Sequence, residues 1–82
     1  MSRGELYSKL ILKGESKDAA RDAVAYLVHQ GYLNDAEYAV EVVRYYMSKG
    51  QDVDRIKYQL RRRLVSSDYW ADAFEEASND NE

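Results

Sequence analysis

Residues 31–50, GYLNDAEYAVEVVRYYMSKG, contain a whole helix together with the signals that end the helix before it and close its own. His29, Gln30 and Gly31 stop one helix, because glycine takes the left-handed backbone that a helix end requires. Asn34 or Asp35 then opens the next, with Glu37 placed for a capping box, and Lys49 and Gly50 close it. Between those signals Tyr38, Val42, Tyr45 and Tyr46 fall on one side, with Ala39, Val43 and Met47 adjoining. That is a wide apolar surface for one helix, and it predicts a helix packed against several neighbours.

Outward from this stretch the same punctuation predicts four more helices. Ser2 with Glu5 three residues on has capping-box spacing; Leu6, Leu10 and Ile11 form the stripe of a short first helix that Gly14 ends. The second starts after Ser16 and carries Ala20, Val24, Leu27 and Val28, with Ala19, Ala23 and Ala25 permitting close approach, so it is expected at the centre of the core. The fourth opens near Asp52 and is expected to bury Val53, Ile56, Leu60 and Leu64. The fifth opens near Ser66 or Ser67 and carries Tyr69, Trp70, Ala73, Phe74 and Ala77, leaving a frayed tail over 78–82.

Composition agrees with an all-α fold. The 82 residues include no Pro and only four Gly, with 45% hydrophobic and 33% charged, and no strand-like alternation interrupts them. The expected architecture is a short-looped bundle of about five helices in a single domain. A chain this small has little room for a large buried pocket. There is no Cys, which excludes disulfides and thiolate metal sites. No apolar run approaches the ~20 residues that span a bilayer, and no basic-then-apolar leader opens the chain, so no membrane association is expected and a cytoplasmic location fits.

The net charge of −3 is unevenly spread. Over 51–65, Arg55, Lys57, Arg61, Arg62 and Arg63 face only Asp52 and Asp54, whereas 66–82 carries six carboxylates and no Lys or Arg. A basic helix therefore precedes an acidic one. The two either pair with each other or are solvated, or the basic one is a contact site. At about 100° per residue, Arg55 and Arg62 point away from the apolar arc of the fourth helix, which suits contact with phosphate or carboxylate. Tyr58 lies off that arc between basic positions and is the aromatic most suited to a partner. Arg44 and Lys49 are candidates to extend this surface, although both also suit a helix C-terminal half.

Catalytic and metal chemistry find no footing in the pattern. His29 sits at a helix end, where capping or solvation accounts for it. Asp18 with Asp22, and Glu37 with Glu41, are four apart and read as solvated surface, since two carboxylates alone hold a metal weakly. No enzyme activity and no cofactor are expected.

Laid on itself with an offset of fifty, the chain shows an ordered echo. Leu6 falls on Ile56, Leu10 on Leu60, Lys13 on Arg63, and Asp22-Ala23-Val24 on Asp72-Ala73-Phe74. This predicts tandem three-helix repeats, a first over 2–50 and a second, over 52–77, that lacks its third helix. The open face of the incomplete repeat would lie around Trp70 and Phe74, which then either fold back onto the third helix or mediate self-association, giving a monomer or a weak dimer.

Ser2-Arg3-Gly4-Glu5-Leu6, Lys9-Leu10, Lys13-Gly14, Gly31-Tyr32-Leu33-Asn34-Asp35, Tyr38-Ala39, Arg44, Lys49-Gly50, Arg55-Ile56 and Leu60 together resemble the RecX family, bacterial modulators of the RecA recombinase. The resemblance covers nearly the whole chain, and it matches the first part of a family usually built from three such repeats. It implies binding rather than catalysis: RecX-like proteins lodge in the groove of the RecA filament on single-stranded DNA and limit its growth and ATP-driven activities, within DNA repair, recombination and the SOS response. It makes the RecA filament the expected partner and single-stranded DNA a secondary one. Two other readings of the residues stay open: a small helix-turn-helix nucleic-acid-binding module, which the sequence pI of about 5.1 disfavours, and a helical interaction fragment without autonomous activity.

Overall fold

The computed structural model describes residues 1–79. Five α-helices follow in order: α1 (Arg3–Leu12), α2 (Lys17–His29), α3 (Asp35–Ser48), α4 (Val53–Arg62) and α5 (Trp70–Asn79), with a 3-10 turn at Ser67–Tyr69 leading into α5. No strand occurs among the described residues. Ser78 and Asn79, expected to fray, are helical; the remainder of that tail, 80–82, lies outside the described residues.

Helix starts follow local side-chain chemistry. Ser2, Ser16, Asn34 and Asp52 are the N-caps, each accepting the amide three residues on, at 3.1, 3.1, 3.1 and 2.9 Å. Ser2 and Glu5 close a full capping box, the Ser2 amide donating to the Glu5 carboxylate at 2.9 Å. Helix ends are equally local. Gly31 and Gly50 take φ of 81° and 77°, and the residues after them, Tyr32 and Gln51, donate back to Leu27 and Tyr46 at 2.9 and 3.1 Å. α4 ends in the same way, Val65 donating to Leu60 at 3.1 Å, but the left-handed position is filled by Leu64 with φ of 57°.

The core is assembled from the last three helices. Ala39, Val40, Val42 and Val43 of α3 pack with Ile56 and Leu60 of α4, Val65, and Ala73 and Ala77 of α5. α3 is the central element, with α5 and α4 both laid against it. The packing unit thus straddles residue 50, where the sequence echo divides its two repeats.

α1 and α2 pair chiefly with each other. Contrary to the expectation of a central second helix, α2 buries only Ala20 and α1 buries nothing. A helix with one partner covers one edge of its apolar stripe, so Leu6, Leu10, Val24, Leu27 and Val28 stay half-exposed. The molecule is elongated, 44 × 23 × 18 Å, with a radius of gyration of 14.0 Å, against about 12 Å for a compact chain of this length.

The two parts meet at a polar joint. Asp35 accepts the Arg3 amide at 2.9 Å, and the Ser2 hydroxyl donates to the Arg63 carbonyl. Ser2 and Asp35 are the buried polar residues of the described chain, and each is buried with its hydrogen bonds made. Gly4 lies against Leu64 at the same joint.

Candidate functional site

The outward face of α4 is set by what its inward face holds. Ile56 and Leu60, one turn apart and fully buried, anchor the helix on α3 and leave Arg55, Tyr58 and Arg62 exposed along one stripe. Tyr58 is 54% exposed, and the Arg62 guanidinium sits 6.0 Å from its ring centroid. Val53 and Leu64, expected in the core, are each 50% exposed. Val53 is the first residue of α4 and Leu64 lies beyond its last turn, so neither reaches the α3 contact.

Arg61 and the C-cap residue Arg63 are anchored. Arg61 lies 5.3 Å from the Trp70 ring centroid on α5. Arg63 donates to the Gln59 side chain at 2.7 Å and to the Tyr46 hydroxyl at 3.0 Å, with its guanidinium 5.4 Å from the Tyr46 ring. Burial works against the Arg63 charge, yet its bond to Tyr46 and the nearby Tyr38 outweigh this and hold its pKa above the ordinary arginine value. Tyr38, half-buried nearby, has its pKa raised first by burial and then by the Glu5 carboxylate beside it, with Arg63 pulling the other way.

Cations and rings continue onto α3. Tyr46 meets Tyr45 edge to face, centroids 4.9 Å apart, and the Lys49 ammonium lies 5.4 Å from the Tyr45 ring. Arg62, Arg63, Gln59, Tyr46 and Glu5 line a polar hollow of about 350 Å³ that joins the α3 and α4 parts of this surface. Of the residues singled out from sequence, the structure places Tyr58 beside Arg62 on the exposed face of α4, with Arg55 further along that stripe, and Lys49 beside Tyr45 at the end of α3. Tyr45, assigned to the inner side of α3 by its periodicity, is 55% exposed and belongs to this outer surface. The spacings Tyr45–Lys49, Tyr58–Arg62 and Gln59–Arg63, each of four residues, are the sequence signal for these pairs.

Arg44 does not extend this surface. It lies on the other side of α3, lining a groove of about 440 Å³ with Glu37, Glu41, Asp72 and Glu76. α5 packs mainly on α3 and presents Asp72 and Glu76 beside Glu37 and Glu41 of α3. Trp70 and Phe74 are half-buried against the core, and the Trp70 indole N–H donates to the Val65 carbonyl at 3.1 Å. Within the chain, both rings thus pack against the core that α3 shares with α4 and α5.

Among known proteins, a RecX regulatory protein of Vibrio cholerae is 39% identical to this chain over 62 residues, covering 76% of the chain and 41% of the relative. A second, from Vibrio vulnificus, is 33% identical over 76 residues, 93% of the chain and 50% of the relative. The chain is related to the RecX family. A RecX regulatory protein of Chromohalobacter salexigens, 32% identical over 74 residues, covers 90% of the chain and 49% of its own length. The chain thus spans at most about half the length of these RecX relatives. No family model matches the chain, and no solved structure does. No helix among the described residues is long and apolar enough to cross a membrane.

Proposed function

We propose that this chain is a RecX-type regulatory module that binds the RecA filament in the bacterial cytoplasm and restrains its activity. The observation that carries this reading is the similarity to RecX regulatory proteins, at 32–39% identity over most of the chain. The surface argued to make the contact is the stripe of Arg55, Tyr58 and Arg62 with Lys49 and Tyr45. Two of its cations, Lys49 and Arg62, lie against ring faces, which lowers the entropy lost when they meet carboxylate or phosphate. The carboxylates around Arg44 lie on the opposite side of α3, so the protein presents one face to an anionic partner despite its net charge of −3.

Contact with single-stranded DNA inside the filament is a secondary part of the same reading. Exposed Tyr45 and Tyr58 beside Lys49 and Arg62 match the ring-and-cation pattern that holds bases and phosphates. The test is co-sedimentation with RecA filaments formed on single-stranded DNA. The chain should pellet with filaments and remain in solution with either free RecA or bare DNA at physiological salt. Equal pelleting with bare DNA, weakening steeply with salt, would favour the nucleic-acid module instead.

A further inference from the structure

The apolar stripes of α1 and α2 leave an open groove of about 570 Å³ between them. Its floor is Tyr7 from α1 and Val24, Ala25 and Val28 from α2. Its rim carries the cations Arg3, at the start of α1, and Arg21 on α2, with His29 at the end of α2. Among the described residues, no carboxylate lines it. Helices of small domains bury such a floor against a third element, and here α3, α4 and α5 form their own core elsewhere.

We propose that this groove receives an acidic amphipathic helix of a protein partner. The rim sets the pattern of that helix. Arg21 and His29 are eight residues apart, about 12 Å along α2, so the partner's matching carboxylates stand about two turns apart. Aliphatic side chains at the helical spacings between them fill the floor over Val24 and Val28. A second copy of this chain is a poorer occupant. Its acidic helix α5 carries Asp72, Glu75 and Glu76 outward but has Ala73, Ala77 and Phe74 turned into its own core, leaving no apolar anchors for the groove. The inference goes beyond the RecX-type reading and does not depend on the α4 surface.

The experiment uses two synthetic peptides of about 15 residues, with capped ends. One places Leu pairs at helical spacing between Glu residues two turns apart; the other has the same composition shuffled out of register. Each is titrated into the nitrogen-15- and methyl-labelled chain. The patterned peptide should shift the Val24 and Val28 resonances and leave those of α4 unmoved, and Arg21→Glu, an exposed substitution, should weaken it about tenfold or more. Ala25→Glu should do the same, and circular dichroism of both variants should match the parent. Equal binding of the shuffled peptide, unchanged affinity in both variants, or no Val24 and Val28 shifts at about 1 mM peptide would overturn the proposal. So would a concentration-dependent dimer that Arg21→Glu abolishes, since that gives the groove to a second copy.

Discussion

Gly4 and Leu64 meet so closely that a Cβ on Gly4 would lie 2.7 Å from the Leu64 Cβ and 3.2 Å from its carbonyl oxygen. Both partners depart from their ordinary roles: Gly4 lies inside a helix, and Leu64 takes a left-handed φ of 57° that glycine fills at the ends of α1, α2 and α3. The contact seats the start of α1 on the end of α4. Gly4→Ala is expected to destabilise the fold by about 1–3 kcal/mol, because the neighbour is a Cβ and backbone rather than a flexible tip. Leu64→Gly removes the left-handed penalty of about 1–2 kcal/mol and opens the space, so the double variant should be less destabilised than Gly4→Ala alone. Urea unfolding of the four proteins measures this coupling.

Asp35 ties the two parts together through the Arg3 amide. Asp35→Ala leaves that part-buried amide without its acceptor and is expected to cost about 1–3 kcal/mol. Ser2→Ala removes both the cap of α1 and the bond to the Arg63 carbonyl, at about 1–2 kcal/mol. Hydrogen exchange should rise in α1 and α2 before it rises in α3, since α3 carries the core.

Alkaline pH should weaken the fold through Tyr38. Its pKa is raised in the folded state above the ordinary 10.0, first by burial. The stabilisation from keeping it protonated is complete below pH 10.0 and is lost as pH rises from there through the folded value. Tyr38→Phe should fall less steeply in melting temperature than the parent above pH 10.0. Parallel curves would remove Tyr38 from the account.

Trp70 is the sole tryptophan, so its fluorescence reports directly on the α3, α4 and α5 core. Trp70→Ala should cost about 3–5 kcal/mol, and Trp70→Phe less, through loss of the indole bond to the Val65 carbonyl and the stacking of Arg61. With the ring occupied inside the chain, sedimentation should show a monomer at all concentrations. A dimer lost on changing Trp70 would instead make this ring an interface.

What was legible in the sequence follows the range of the physics. Ser2, Ser16, Asn34 and Asp52 act on amides three residues away, so the helix starts could be read locally, as could the inward setting of Ile56 and Leu60. The placement of α2 could not: Val24, Leu27 and Val28 have the spacing of a core helix, but their burial depends on how many neighbours reach them, and α1 is the main one. Arg44 and Lys49 likewise share a helix, yet the position of α5 puts one among carboxylates and leaves the other beside Tyr45. The part-buried bond from Arg3 to Asp35, across 32 residues of chain, had no local signal at all.

The Arg55, Tyr58 and Arg62 stripe is proposed to engage the RecA filament. Its most direct test is RecA's single-strand-dependent ATP hydrolysis, titrated with the chain and with the Arg55→Ala plus Arg62→Ala double variant. These are exposed positions, so the variant should keep the parent's circular dichroism and melting temperature. The parent should lower the hydrolysis rate, and the double variant should need about tenfold more protein to do so. An unchanged rate at saturating parent protein, or equal potency of the two, would contradict it.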